Sequence, residues 1–246
     1  MDHVASATKV NTAVFCRFGA WAAVILLIYC LLTMLILTLL GAAPENAQAC
    51  FKMIEKSAVI ALLRLDVLTV LVMPVFCVLY AGLYIAIQRE CYVPAILSCA
   101  AAVMGVTLIL ANASPASLVY LSDQYSAATT ESRRALLVAA GEAVISTDMW
   151  HGTAAKMGGL LLQFAGVLIS IAMLRTTVFS KVIGYSGLVA HGLDLLHIMI
   201  NFFSPKLAVL AMAIAGPLYL VWFPLVAHRL FQLAKVDNVS AIESPV

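Results

Sequence analysis

Val182–Phe203 reads VIGYSGLVAHGLDLLHIMINFF, an apolar stretch in which Asp194 is the only acid and no Lys or Arg occurs. A run of about 20 apolar residues is long enough to cross the hydrocarbon core of a bilayer as a helix. This stretch therefore predicts a transmembrane span, and it sets the class of the whole chain. Asp194 lies near its middle, with His191 and His197 on either side. An ionisable side chain at that depth costs about 2.5–3.5 kcal/mol on insertion scales, so it is expected to face the protein interior and to mark a functional site.

Composition agrees. The chain is 64% hydrophobic and 11% charged, with mean hydropathy +1.05. Soluble domains carry about 25% charged residues, so this chain has too little polar surface for water. A net charge of +2, without a basic run, gives no reason to expect nucleic acid as a partner. There is no Walker loop, no H-E-x-x-H and no G-x-S-x-G elbow. Of six cysteines, Cys16, Cys30, Cys77, Cys91 and Cys99 fall within or at the ends of apolar runs, Cys50 falls in an expected loop, and no C-x-x-C occurs. They read as small buried hydrophobes rather than a disulfide framework.

Working outward, charge-free runs occur at Phe18–Gly41, Val67–Gln88, Tyr92–Ala111, Met157–Leu174 and Leu207–His228, beside Val182–Phe203 with its single acid. They predict an all-α fold, a polytopic transmembrane helix bundle of six spans at about 18–41, 60–88, 92–111, 154–174, 182–203 and 207–228. Residues 1–235 form one transmembrane domain and 236–246 a polar tail expected to be disordered. Arg17 and Ala47-Gln48-Ala49 before Cys50 loosely suggest a signal peptide. The first apolar run far exceeds the 7–15 residues of a signal h-region, which favours a retained helix. Lys9, Arg17, Arg89, Arg175, Lys181, Arg229 and Lys235 fall on one side of this topology, while most loop acids fall on the other. The chain is thus expected in the cell membrane with both termini cytoplasmic. The outer segment Asn112–His151 is too long to lack structure. Within it Glu131–Trp150 predicts an amphipathic helix, with Glu131, Arg134 and Glu142 on one face and Leu136, Leu137, Ala140 and Val144 on the other.

On an ideal fifth helix Asp194 and Asn201 project almost together, and His191 and His197 flank them within an arc of about 120°. Gly184 and Gly187 continue this face, where another helix can approach closely. The pattern suggests a cavity open toward the outside. Three chemistries fit it. Asp194 could carry a proton with the imidazoles as relay partners. His191, Asp194 and His197 could ligate zinc or iron with help from elsewhere. The set could also be a structural network between helices. Candidate partners are Asp66, which heads a stripe with Thr69, Met73, Cys77, Tyr80 and Tyr84, and Gln163 in the fourth span. Arg64 and Asp66 sit at the outer interface if Val67–Gln88 spans alone; if the helix enters near Ser57, Arg64 becomes a counter-ion for Asp194.

Several short motifs carry a resemblance. They are Arg17-Phe18-Gly19-Ala20, Leu162-Gln163-x-x-Gly166-x-Leu168-Ile169, Met173-Leu174-Arg175, Phe179-Ser180-Lys181, Gly184-Tyr185-x-Gly187 and Trp222. In these the chain resembles a bacterial family of multi-pass integral-membrane proteins defined only as a domain of unknown function. The resemblance implies a membrane fold of similar length and carries over no activity. Intramembrane metal hydrolases, a more distant likeness, place several His and an Asp on different helices, whereas the His residues here cluster on one.

The function expected from the residues is transporter-like, or sensing of a small ligand or protons, at Asp194, His191, His197, Asn201, Asp66 and Gln163, without enzymatic activity. A metal-dependent intramembrane hydrolase is one alternative. A structural or accessory subunit of a membrane complex is the other, and a homo-oligomer would also be compatible.

Overall fold

The computed structural model describes residues 2–242, and the tip of the expected tail, 243–246, lies outside them. Ten helices, with no strand among the described residues, follow in order: α1 (Asp2–Leu40), α2 (Ala47–Lys56), α3 (Ala58–Arg64), α4 (Val67–Ile87), α5 (Tyr92–Ala111), α6 (Pro115–Ala127), α7 (Glu131–Ser146), α8 (Thr153–Arg175), α9 (Lys181–Asn201) and α10 (Pro205–Ile242). Six stretches are long and apolar enough to cross a membrane: Thr12–Leu40, Val67–Ile87, Tyr92–Ala127, Thr153–Arg175, Lys181–Asn201 and Lys206–Lys235. Large apolar side chains point outward along them, among them Phe18, Leu35, Leu71, Met104, Phe164 and Leu210. That surface suits lipid rather than water. The protein is an all-α, multi-pass membrane protein, as expected from composition.

The chain divides into two compact units. The first takes the residues up to Cys30, Pro74–Val106 and everything from Gly159 onward. Its helices meet at small residues. A side chain on Gly82 of α4 would lie 2.8 Å from the Cα of Gly19 in α1, so the two backbones touch. Ser98 of α5 donates to the Ala165 carbonyl of α8 at 2.7 Å. Gly184 of α9 receives Leu174, and Gly187 receives Trp222 and Ser170, which bears out the close approach expected on that face. Pro217 and Pro224 lie inside α10, which continues through both to Ile242.

The second unit takes Leu31–Met73 and Thr107–Gly158. Its core joins Ala47, Cys50, Phe51 and Ile54 of α2 to Ala61 of α3 and Leu118 of α6. Asn46 caps α2 by accepting from the Ala49 N–H at 2.9 Å, and Glu142 of α7 accepts from the Ala47 N–H at 2.8 Å. Cys50, expected in a loop, is helical and fully buried, and burial pushes its thiol up to about 11.

Four expectations are corrected here. The second span does not begin at residue 60, because the chain breaks at Leu65–Asp66 between α3 and α4, where Asp66 adopts φ 62°. Asp tolerates this left-handed region better than most residues because its short carboxylate bonds locally, here by accepting from the Thr69 hydroxyl at 2.5 Å. The long segment 112–151 holds two helices rather than one; α6 opens with Pro115 at its first turn, where a missing N–H costs nothing. Finally, α7 stops at Ser146, and Asp148 then accepts the N–H groups of Trp150 and His151. The packed face of α7 is also rotated from the expected one. Leu136 is exposed, Gly141 is buried against Ala47 and Phe51, and Val138, Val144 and Ile145 line the core.

Candidate functional site

The polar centre of the first unit is built by three helices. Asp194 of α9 accepts from Gln163 Nε2 of α8 at 2.6 Å and from the Tyr219 hydroxyl of α10 at 3.1 Å, both on Oδ2. His191, one turn before Asp194 on α9, is 2% exposed. Its Nδ1 lies 2.8 Å from Gln163 Oε1 and 3.2 Å from the Tyr219 oxygen. Tyr219 in turn lies 3.0 Å from Gln163 Oε1.

Local sequence explains why these groups converge. Gly166 follows Gln163 by three positions, so both lie on the α8 face toward α9. With no side chain there, the His191 ring rests on the α8 backbone; a Cβ on Gly166 would collide with the imidazole. On α10, Tyr219, Trp222 and Phe223 share a face at i, i+3 and i+4. Trp222 meets the His191 ring edge-on at a centroid distance of 4.7 Å, Tyr219 meets it at 5.1 Å, and Tyr219 stacks on Phe223. The imidazole is thus clamped on three sides.

Hydrogen-bond capacity limits the proton states. A neutral imidazole has one donor and one acceptor nitrogen, and a hydroxyl has a single proton. With Asp194 ionised, both Gln163 Nε2 and the tyrosine hydroxyl donate to it, so Gln163 Oε1 must accept, which requires Nδ1–H on His191. His191 Nε2 is then a buried acceptor, and it has no hydrogen-bond partner among the described residues. With Asp194 protonated, its O–H can donate to a turned-over Gln163 amide, whose NH2 then donates to Nδ1 and favours the neutral tautomer of His191 that carries its proton on Nε2. The tyrosine hydroxyl has three neighbours, Asp194, Gln163 and His191, and can donate to one at a time. The arrangement can therefore pass a change of protonation at Asp194 to the far nitrogen of His191. Cys30 of α1 and Tyr80 of α4 are within electrostatic reach of this cluster, and the Tyr80 hydroxyl is buried without a hydrogen-bond partner.

Of the residues expected in the site, Asp194, His191 and Gln163 come together. The other three do not join them. His197 Nδ1 instead donates to the Ala208 carbonyl at 2.8 Å, tying α9 to the start of α10. Asn201 is exposed at the last turn of α9. Asp66 belongs to the second unit, where it bonds Thr69. Arg64, considered as a counter-ion, directs its guanidinium to the Ala42 carbonyl within that same unit. Nor do His191, Asp194 and His197 form a metal-ligand set, since no group of three His, Cys, Asp or Glu suited to a metal occurs among the described residues. Tyr219 was the residue missed. Its signal was present, a hydroxyl within an apolar span three residues before Trp222, but an aromatic in a span is ordinary lipid-interface or packing material.

A scan against protein-family models and searches of curated proteins and of solved structures find no match to the chain. The resemblance to a bacterial membrane family gains no support from them.

Proposed function

We propose that this is a transporter-like or proton-sensing membrane protein in which Asp194 is the titratable centre and Tyr219, Gln163 and His191 carry its protonation state. One observation supports this above the others: the Tyr219 hydroxyl stands between Asp194 Oδ2 and His191 Nδ1, at 3.1 and 3.2 Å. A buried polar atom left unpaired costs about 1–3 kcal/mol. The partnerless Nε2 of His191 fits a network with more than one proton arrangement.

In this reading both termini are cytoplasmic and the protein resides in the cell membrane. Reporter fusions after Gly41, Glu90, Ala140 and the C-terminus test that topology, and a cytoplasmic signal from the Ala140 fusion overturns it. Proton uptake by the purified protein tests the function. Asp194→Asn should abolish one titrating group without loss of fold. Uptake identical to the unmodified protein rejects the proposal.

A further inference from the structure

The first unit holds a second feature, separate from the Asp194 network. Where α8 ends and α9 begins, a cavity of about 410 Å³ is walled by Phe179, Ile183 and Leu225 and rimmed by Ser180, His228 and Arg229. No residue of the Asp194 network lines it. We propose that this cavity binds the phosphodiester headgroup of an anionic phospholipid.

The rim is cationic and organised. Arg229 Nε donates to the Val178 carbonyl at 2.5 Å, and Nη1 donates to Gln232 Oε1 at 3.2 Å. These contacts fix the guanidinium plane and use two of its five N–H donors, leaving the rest of the fork available. No carboxylate neutralises it among the described residues. Glu90, an acid at this end, is taken by Thr177, whose N–H and hydroxyl donate to its two oxygens at 2.8 and 3.0 Å. Gln232 Oε1 is occupied by Arg229, so its amide nitrogen must donate to His228 Nε2, 2.9 Å away. That fixes the proton of a neutral His228 on Nδ1 and leaves Nδ1–H as a further donor.

Two more features point to phosphate carried by a lipid. The rim includes Ser180, the N-cap of α9, and helix N-termini favour anions through their free N–H groups. The cavity also sits at the end of α8 and the start of α9, in the segment that Arg175 and Lys181 bracket in sequence, with the Lys181 ammonium donating to the Leu174 carbonyl. A fork-shaped Arg matches phosphate oxygens in pairs, and the apolar wall offers a seat to the first carbons of an acyl chain. Basic pockets between helices at a membrane face are suited to anionic headgroups.

Native mass spectrometry of the full-length detergent-purified protein tests this, with phosphatidylglycerol and phosphatidylcholine supplied at equal amounts. The protein should retain phosphatidylglycerol selectively, and Arg229→Gln should lower that retention about fivefold, the effect of one cation near an anionic surface. If Arg229→Gln disturbs the fold by freeing the Val178 carbonyl, His228→Leu leaves that contact intact and should still lower retention. Equal retention of the two lipids, or unchanged retention in both variants, overturns the proposal. Displacement of phosphatidylglycerol by inorganic phosphate overturns the lipid assignment in favour of a free anion.

Discussion

The imidazole of His191 rests on Gly166, at a point where any side chain on α8 would overlap the ring. His191 cannot retreat, because Trp222 and Tyr219 hold its other sides. Gly166→Ala should therefore destabilise the protein by about 1–3 kcal/mol, the usual cost of overpacking a tight core, and displace the imidazole from Gln163. Thermal unfolding of the detergent-purified variant measures the first effect. An unchanged unfolding temperature would show that the ring does not sit there.

In the second unit, Glu142 reaches from α7 to the first turn of α2 and accepts the Ala47 N–H. Glu142→Ala removes that acceptor and should cost about 0.5–2 kcal/mol, as loss of a helix N-terminal cap does. Glu142→Gln keeps a carbonyl oxygen in place and should recover most of the loss. The comparison of the two variants by thermal unfolding separates the cap from general effects of charge.

Much of this fold was legible because lipid leaves so few solutions. A run of span length with at most one charge, inside a bilayer, satisfies its backbone bonds internally as a helix, so the spans could be placed from the apolar runs and the charges that bound them. The breaks were harder. The turn at Asp66 depends on one left-handed residue, which no hydrophobic pattern announces, and α6 was hidden because Pro115–Ala127 follows α5 almost without a polar gap. In the site, Asp194, His191 and Gln163 could be found because polar groups inside a span stand out. His197 and Asn201 shared their helical face yet went elsewhere. Angular position on α9 does not reveal that the Ala208 carbonyl is near, or that Asn201 falls at the helix end. Tyr219 lies far along the chain, and only packing of α10 against α9 brings it to Asp194.

Asp66 gives a pH-dependent prediction for stability. Burial raises its carboxyl above the ordinary range, partly offset by the Thr69 hydroxyl and N–H. A folded value above the unfolded one means that the folded state binds the proton more tightly. Stability is then greatest in acid and declines as pH rises from the unfolded value through the folded one. Asp66→Asn keeps the left-handed preference and an acceptor for Thr69 but cannot ionise. It should match the unmodified protein in acid and exceed it in unfolding temperature at neutral pH. A variant less stable at neutral pH would show that the charged form is the favoured one.

Tyr219→Phe removes a donor to Asp194 Oδ2 and a hydroxyl that also reaches His191. It should cost about 1–3 kcal/mol, as an under-satisfied buried acceptor does. It should also weaken communication between the two residues while Gln163 remains. Fourier-transform infrared difference spectra of the Asp194 carboxyl band, compared with and without the hydroxyl, follow that effect. An unaltered band would remove Tyr219 from the network.

The most direct test of a proton-responsive centre uses Trp222, whose ring lies against His191. With Trp21→Phe and Trp150→Phe, Trp222 becomes the single tryptophan of the chain, and its fluorescence reports the state of the imidazole. The emission should titrate with pH in one step, lose that step in Asp194→Asn, and shift it in Tyr219→Phe. Emission that titrates identically with and without the Asp194 carboxylate, or that stays flat with pH in the unsubstituted network, would contradict the proposal that Asp194 carries the proton signal.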